Sequence, residues 1–244
     1  MPAVFVHGVP DTAVSWSPLL DALGRDDVVA LTLPGFDCAT PAGWSATKEE
    51  YAVWLEAELV AIGEPVDLVG HDWGALLAQR VASVRPDVIR TLACGGGPLD
   101  REYSWHAMAQ AWQTPNVGEE IMAGMLAMDR GDLAKGLAAG GAPEALAALQ
   151  AARIDEPMAN CILRLYRSAV TVGAEWQDAV EAMPRHPAVV FHGADDPYLG
   201  TDVARRLATR LDGELVVFDG CHHWWAWERA TDTAAVLTRL WSSA

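Results

Sequence analysis

The sequence predicts an α/β fold, a mostly parallel sheet of about six strands flanked by helices and interrupted by an inserted helical cap. Two observations carry this expectation. Short apolar, β-rich runs alternate with helical stretches over residues 1–97 and again over 186–244. Between them, over 98–185, the strand signal vanishes and the composition turns to Ala, Leu, Met and Glu broken by Gly140, Gly141 and Pro143. Continuously apolar strands separated by helices are buried on both faces, as in a parallel sheet.

The strand candidates are 2–6 (PAVFV), 27–33 (DVVALTL), 66–70 (VDLVG), 88–94 (VIRTLAC), 187–192 (PAVVFH) and 214–218 (ELVVF). Helices are expected around 16–24, 47–62, 74–85, 201–211 and 227–242. The Ala-rich run 144–152 follows Pro143 and spaces Leu146 and Leu149 three apart, which suits a short amphipathic helix. The expected division is therefore a core of 1–97 and 186–244 with a cap of 98–185.

The chain has 244 residues, 51% of them hydrophobic, enough for one well-filled core. A formal charge of −16 and a pI of about 4.6 repel phosphate backbones and anionic lipid, so nucleic acid and membrane surfaces are poor partners. A small, neutral, apolar substrate is expected instead. No apolar run approaches the roughly 20 residues of a membrane span. The first residues lack the basic and apolar regions of a signal peptide, which points to a cytoplasmic location. Cys38, Cys94, Cys161 and Cys221 are widely spaced and suit reduced thiols there. Cys221 adjoins His222 and His223, but neighbouring side chains rarely converge on one ion, so no metal or other cofactor is expected.

Chemistry concentrates in Gly70-His71-Asp72-Trp73-Gly74, which carries a buried strand into a helix. A nucleophile elbow places its central residue in a strained turn with small residues two before and two after. The centre here is a carboxylate, and no GxSxG occurs. Attack by a carboxylate on an acyl carbon would give a reactive anhydride. Attack on an sp³ carbon gives an alkyl ester, which activated water can hydrolyse. The expected substrate is thus an alkylating electrophile, an epoxide or an alkyl halide. The bland alternative for Asp72 is a helix N-cap.

His7-Gly8-Val9-Pro10-Asp11 follows the first strand, and the backbone N–H groups of Val9 and Trp73 would form an oxyanion hole. In His192-Gly193-Ala194-Asp195-Asp196, the GxxD spacing favours Asp196 over Asp195 as the carboxylate that orients a histidine. That histidine lies in Cys221-His222-His223-Trp224. His223 is preferred to His222, because Trp224 follows it and Glu228 lies five residues on. His71, His106, His186 and His192 read as structural or surface residues, with His106 able to line a pocket.

Together these segments resemble the epoxide hydrolase and haloalkane dehalogenase branch of the α/β-hydrolase superfamily. HGVPDTAVSW is similar to the epoxide hydrolase HGxPE(S/T)xxSW pattern, GHDWGALLA to both groups, and GCHHWWAWE to their CGHW…E/D ending, with His222 where glycine is usual. The family usually has two strands before the one leading into HGxP, whereas this chain begins almost at that strand. The resemblance therefore implies that 27–33 is an exposed edge, open to homodimerisation.

Epoxide opening needs a proton donor, which the family takes from cap tyrosines. Arg164-Leu165-Tyr166-Arg167 is similar to its WYR segment and nominates Tyr166. The second family tyrosine falls at Met108, with Tyr103 a possible substitute. His7, Tyr103, Trp105, Met108 and Trp112 are the expected substrate-binding residues. A dehalogenase would need two N–H donors for halide: Trp73 supplies one candidate, and Trp105 or Trp112 the other. A third reading is a binding protein of the same fold without turnover.

Overall fold

The computed structural model describes residues 1–244. Six strands form one wholly parallel sheet: β1 (Ala3–Val6), β2 (Val28–Leu31), β3 (Val66–His71), β4 (Ile89–Gly95), β5 (Ala188–Gly193) and β6 (Glu214–Phe218). Their order is β2-β1-β3-β4-β5-β6, so β2 is the edge strand expected of 27–33. The chain order reverses direction across β1 and β3, and a ligand crevice opens beyond the carboxyl ends of strands at such a point. No helix is long and apolar enough to cross a membrane.

Strand alternation explains why both faces are covered. Val4, Val6, Leu68, Leu92, Cys94 and Val190 enter the larger of the two apolar clusters that flank the sheet, while Ala3, Phe5, Val69, Ala93, Val189 and Phe191 enter the smaller. The larger cluster packs under α2 (Lys48–Ile62), α3 (Trp73–Val84) and the helices that follow β4. The smaller lies under α1 (Ser17–Leu23), joined there by the C-terminal helices.

Between β4 and β5 the chain is helical: α4 (Ala107–Gln113), α5 (Val117–Ala127), α6 (Arg130–Ala139), α7 (Glu144–Arg153), α8 (Glu156–Ser168) and α9 (Val172–Ala182). The last of these packs against α3 on the sheet, while α4, α5 and α8 pack on one another. The start of α8 is fixed by Asp155, whose carboxylate accepts from the Met158 N–H at 2.9 Å. Its buried face then carries Ile162 and Tyr166 one turn apart, towards Trp73.

After β5 come α10 (Thr201–Leu211), then β6, α11 (Trp225–Glu228) and α12 (Ala230–Ser243). The single helix expected over 227–242 is therefore broken. Arg229 leaves helical geometry (φ −125°, ψ 40°), and its guanidinium donates to the Asp219 carbonyl at 2.7 Å.

Candidate active site

Only Asp72 separates β3 from α3, and its backbone has φ 51° and ψ −120°. Such a conformation at a non-glycine residue costs about 1–3 kcal/mol and is held by its surroundings. Close approach requires the missing side chain at Gly74, where a Cβ would lie 1.9 Å from the Val6 carbonyl oxygen. The same holds for Gly8, where a Cβ would sit 2.2 Å from Asp72 Oδ1. The Asp72 carboxylate makes no capping bond to α3. Instead Oδ1 accepts from the Val9 N–H at 2.7 Å, and Oδ2 lies 3.7 Å from His223 Nε2. Trp73 opens α3, so its N–H belongs to the first turn, where no intrahelical acceptor exists.

His223 is buried and its Nδ1–H donates to Asp196 Oδ2 at 2.8 Å. Asp196 is held in turn by the N–H groups of Tyr198 (2.8 Å) and Leu199 (3.2 Å) on its other oxygen. Asp195 is exposed. His222 is also exposed and faces Glu228, whose carboxylate accepts from the His222 N–H at 3.0 Å. Glu228 thus holds the loop that presents His223.

Burial disfavours charge on all three groups, but their mutual attraction outweighs it. His223 is pushed up to about 10 by the Asp196 and Asp72 carboxylates. Both carboxylates are held below their ordinary range, chiefly by His223. The resting site is therefore an imidazolium between two carboxylates. His71 packs 4.7 Å from the His223 ring; burial and that positive charge lower it to about 4, so it is neutral and its Nε2–H donates to the His223 carbonyl at 3.0 Å.

Asp72 and His223 open onto a cavity of about 260 Å³ whose wall is mostly apolar, with Trp105, Trp112, Met108, Met125 and Leu137 over it and Leu76 below. Tyr166 is buried on this wall, its ring 5.3 Å from Trp73, 5.4 Å from Trp105 and 4.9 Å from Trp112. Burial, then the Asp72 charge, raise the Tyr166 phenol well above its ordinary value, so it keeps its proton.

Of the expected substrate-binding residues, Tyr103, Trp105, Met108 and Trp112 line this cavity, Met108 as an exposed residue. His7 does not. It is wholly buried behind the loop, its Nδ1–H donating to the Gly8 carbonyl (2.8 Å) while Nε2 accepts from the Leu33 N–H (3.0 Å). Tyr103 is a poor substitute donor, because its hydroxyl is spent on the Tyr198 carbonyl at 3.1 Å.

Three polar residues of the site were not singled out as such by sequence. Tyr198 lines the cavity with its ring 5.1 Å from His223, and its hydroxyl donates to the Gly140 carbonyl at 2.9 Å. Asp11 is buried and accepts from Gln150 Nε2 (2.7 Å) and Trp224 Nε1 (3.0 Å), tying the Val9 loop to α7 and to the residue after His223. Burial raises Asp11 to about 6. Position in HGxPD was a signal for Asp11; nothing local marked Tyr198 or Gln150.

Comparison with known proteins agrees with this geometry at the level of fold and family. A model of the alpha/beta hydrolase family matches residues 3–236. The chain is 29% identical over 105 residues to an (E)-2-((N-methylformamido)methylene)succinate hydrolase of Acinetobacter baylyi, covering 42% of this chain and 40% of that protein. It is 37% identical over 98 residues to epoxide hydrolase 2 of Siraitia grosvenorii, covering 37% of this chain and 31% of that protein. These two matches thus span well under half of either relative. The crystal structure of the ancestral haloalkane dehalogenase AncHLD2 superposes with a TM-score of 0.79 at 21% identity, covering 99% of this chain and 92% of that one. The chain is a member of the alpha/beta hydrolase family.

Proposed function

We propose that this hydrolase opens an epoxide to a vicinal diol through an alkyl ester on Asp72. The observation that carries the reading is a carboxylate, not a hydroxyl, at the strained turn, with a buried tyrosine hydroxyl on the wall of the same cavity. The match to an epoxide hydrolase over part of the chain supports it.

In this mechanism the Asp72 carboxylate attacks a ring carbon and the carbon–oxygen bond breaks, its electron pair remaining on oxygen. Tyr166 supplies the proton to that oxygen. Water then adds to the ester carbonyl as its proton passes to His223, which Asp196 orients. The Val9 and Trp73 N–H groups stabilise the oxyanion. Collapse expels the diol, which takes the proton from His223, and leaves Asp72 as the acid; its proton returns to the Tyr166 phenolate, so that the carboxylate and the phenol are both regenerated. Water apart, each step uses groups of this chain.

One observation favours a second reading. The fold superposes on that of a haloalkane dehalogenase over 99% of this chain, so haloalkanes belong in the assay. The test is a single turnover in H₂¹⁸O with enzyme in excess. Under this mechanism the first diol carries no ¹⁸O and the label enters Asp72. Labelled diol in the first turnover would mean direct attack by water, and halide release without epoxide turnover would favour the dehalogenase.

A further inference from the structure

Beyond the groups assigned to chemistry, the cavity wall carries few polar atoms, and nearly all are spent. The Tyr103 and Tyr198 hydroxyls donate to backbone carbonyls. The Trp105 indole donates to the Ala169 carbonyl at 3.2 Å and Trp224 to Asp11 at 3.0 Å. The Trp112 N–H is fully enclosed. His106 is different. It lines the cavity and caps α4, its Nδ1 accepting from the Ala109 N–H at 3.3 Å.

That bond decides the tautomer. A nitrogen that accepts has its lone pair in use, so the proton of the neutral ring sits on Nε2. Burial lowers the ring's affinity for a second proton, so it stays neutral near pH 7. His106 Nε2–H makes no hydrogen bond within the protein and is not sealed in the core. The ring rests 4.8 Å from Tyr198, which in turn stands edge-on to His223 at 5.1 Å. The donor is therefore one aromatic ring removed from the reacting centre, where it would meet a remote part of the substrate.

We propose that His106 is a specificity-determining residue, and that the substrate is an epoxide bearing a hydrogen-bond acceptor oxygen a short spacer away from the oxirane. This rests on the epoxide reading above. A substrate lacking that oxygen leaves the Nε2–H facing apolar surface, and a protein–ligand hydrogen bond of this kind separates the two by roughly two- to tenfold.

The test pairs aryl-alkyl epoxides holding an ether oxygen one to three bonds from the oxirane with their all-carbon analogues. At one position at least, the wild type favours the ether in kcat/KM by that factor. In His106→Asn, and in His106→Ser, the preference collapses towards unity while the melting temperature holds, because both residues cap helices well but fall short of the Nε2 position. A preference absent at every position, or one that survives in both variants, overturns the proposal. Inert ether and hydrocarbon analogues, followed by tryptophan quenching, give the same comparison without turnover. If no epoxide is consumed, the epoxide reading fails, while an ether preference that depends on His106 in this binding experiment still stands.

Discussion

Alkylation of Asp72 removes one of the two negative charges that keep His223 protonated, and Asp72→Asn reproduces that change without substrate. The separation of His223 Nε2 from Asp72 Oδ2 is 3.7 Å. Two unit charges at that distance interact by about 4.5 kcal/mol at an effective dielectric of roughly 20, or about three pKa units. Subtracted from a wild-type value of about 10, this leaves His223 near neutrality, oriented by Asp196 alone. The charge switch would make His223 an imidazolium at rest and a free base once the ester has formed, when water must be deprotonated. Imidazole ¹⁵N chemical shifts followed across pH measure it directly. The account expects His223 to titrate at about 10 in the wild type and close to 7 in Asp72→Asn. A His223 that titrates at the same pH in both proteins would refute the charge-switch argument. Because the folded value lies above the unfolded 6.5, the imidazolium stabilises fully below about pH 6.5 and that contribution is lost as pH rises through about 10. In the variant the loss moves down towards 7.

Two further substitutions separate geometry from folding. Gly8→Ala drives a Cβ into Asp72 Oδ1; a displacement of about 1 Å at the nucleophile costs on the order of a hundredfold in rate, read as the pre-steady-state alkylation rate, and an unchanged rate would contradict the assigned packing. Tyr166→Phe keeps the ring against Trp73, Trp105 and Trp112, so the melting temperature should barely move while alkylation by epoxides slows by roughly 10²- to 10⁴-fold. Undiminished epoxide opening in that variant would remove Tyr166 from the mechanism.

The sheet was legible because each strand is an apolar run, largely buried in the four central strands, whose alternate residues serve two cores. The run 214–218 coincides with β6, and 66–70 differs from β3 only by His71. The break at Arg229 was not legible: no Pro or Gly marks it, and the bond that its guanidinium makes is to the Asp219 carbonyl, ten residues away. At the site, the elbow could be read because its signature is contiguous: a positive φ at Asp72, and a position 74 where a Cβ would lie 1.9 Å from the Val6 carbonyl oxygen, demand particular residues at fixed spacing. Asp195 and Asp196 differ by one residue, and only the turn that places the Asp196 carboxylate against Tyr198 N, Leu199 N and His223 separates them. His7 opens the loop that carries Val9, yet its two ring nitrogens are consumed by the Gly8 carbonyl and the Leu33 N–H. Contacts from the helices that follow β4, such as Gln150 with Asp11, join residues 139 apart and carry no local signal.

The most direct test of the central claim is the mass of His223→Gln after exposure to epoxides and haloalkanes. With the base removed, the ester on Asp72 should form and persist. The account expects an adduct equal to the whole epoxide, mapped by peptide analysis to Asp72. An alkyl adduct formed with loss of halide, and none with any epoxide, would contradict the epoxide assignment. A covalent adduct on a residue other than Asp72 would contradict the aspartate nucleophile itself.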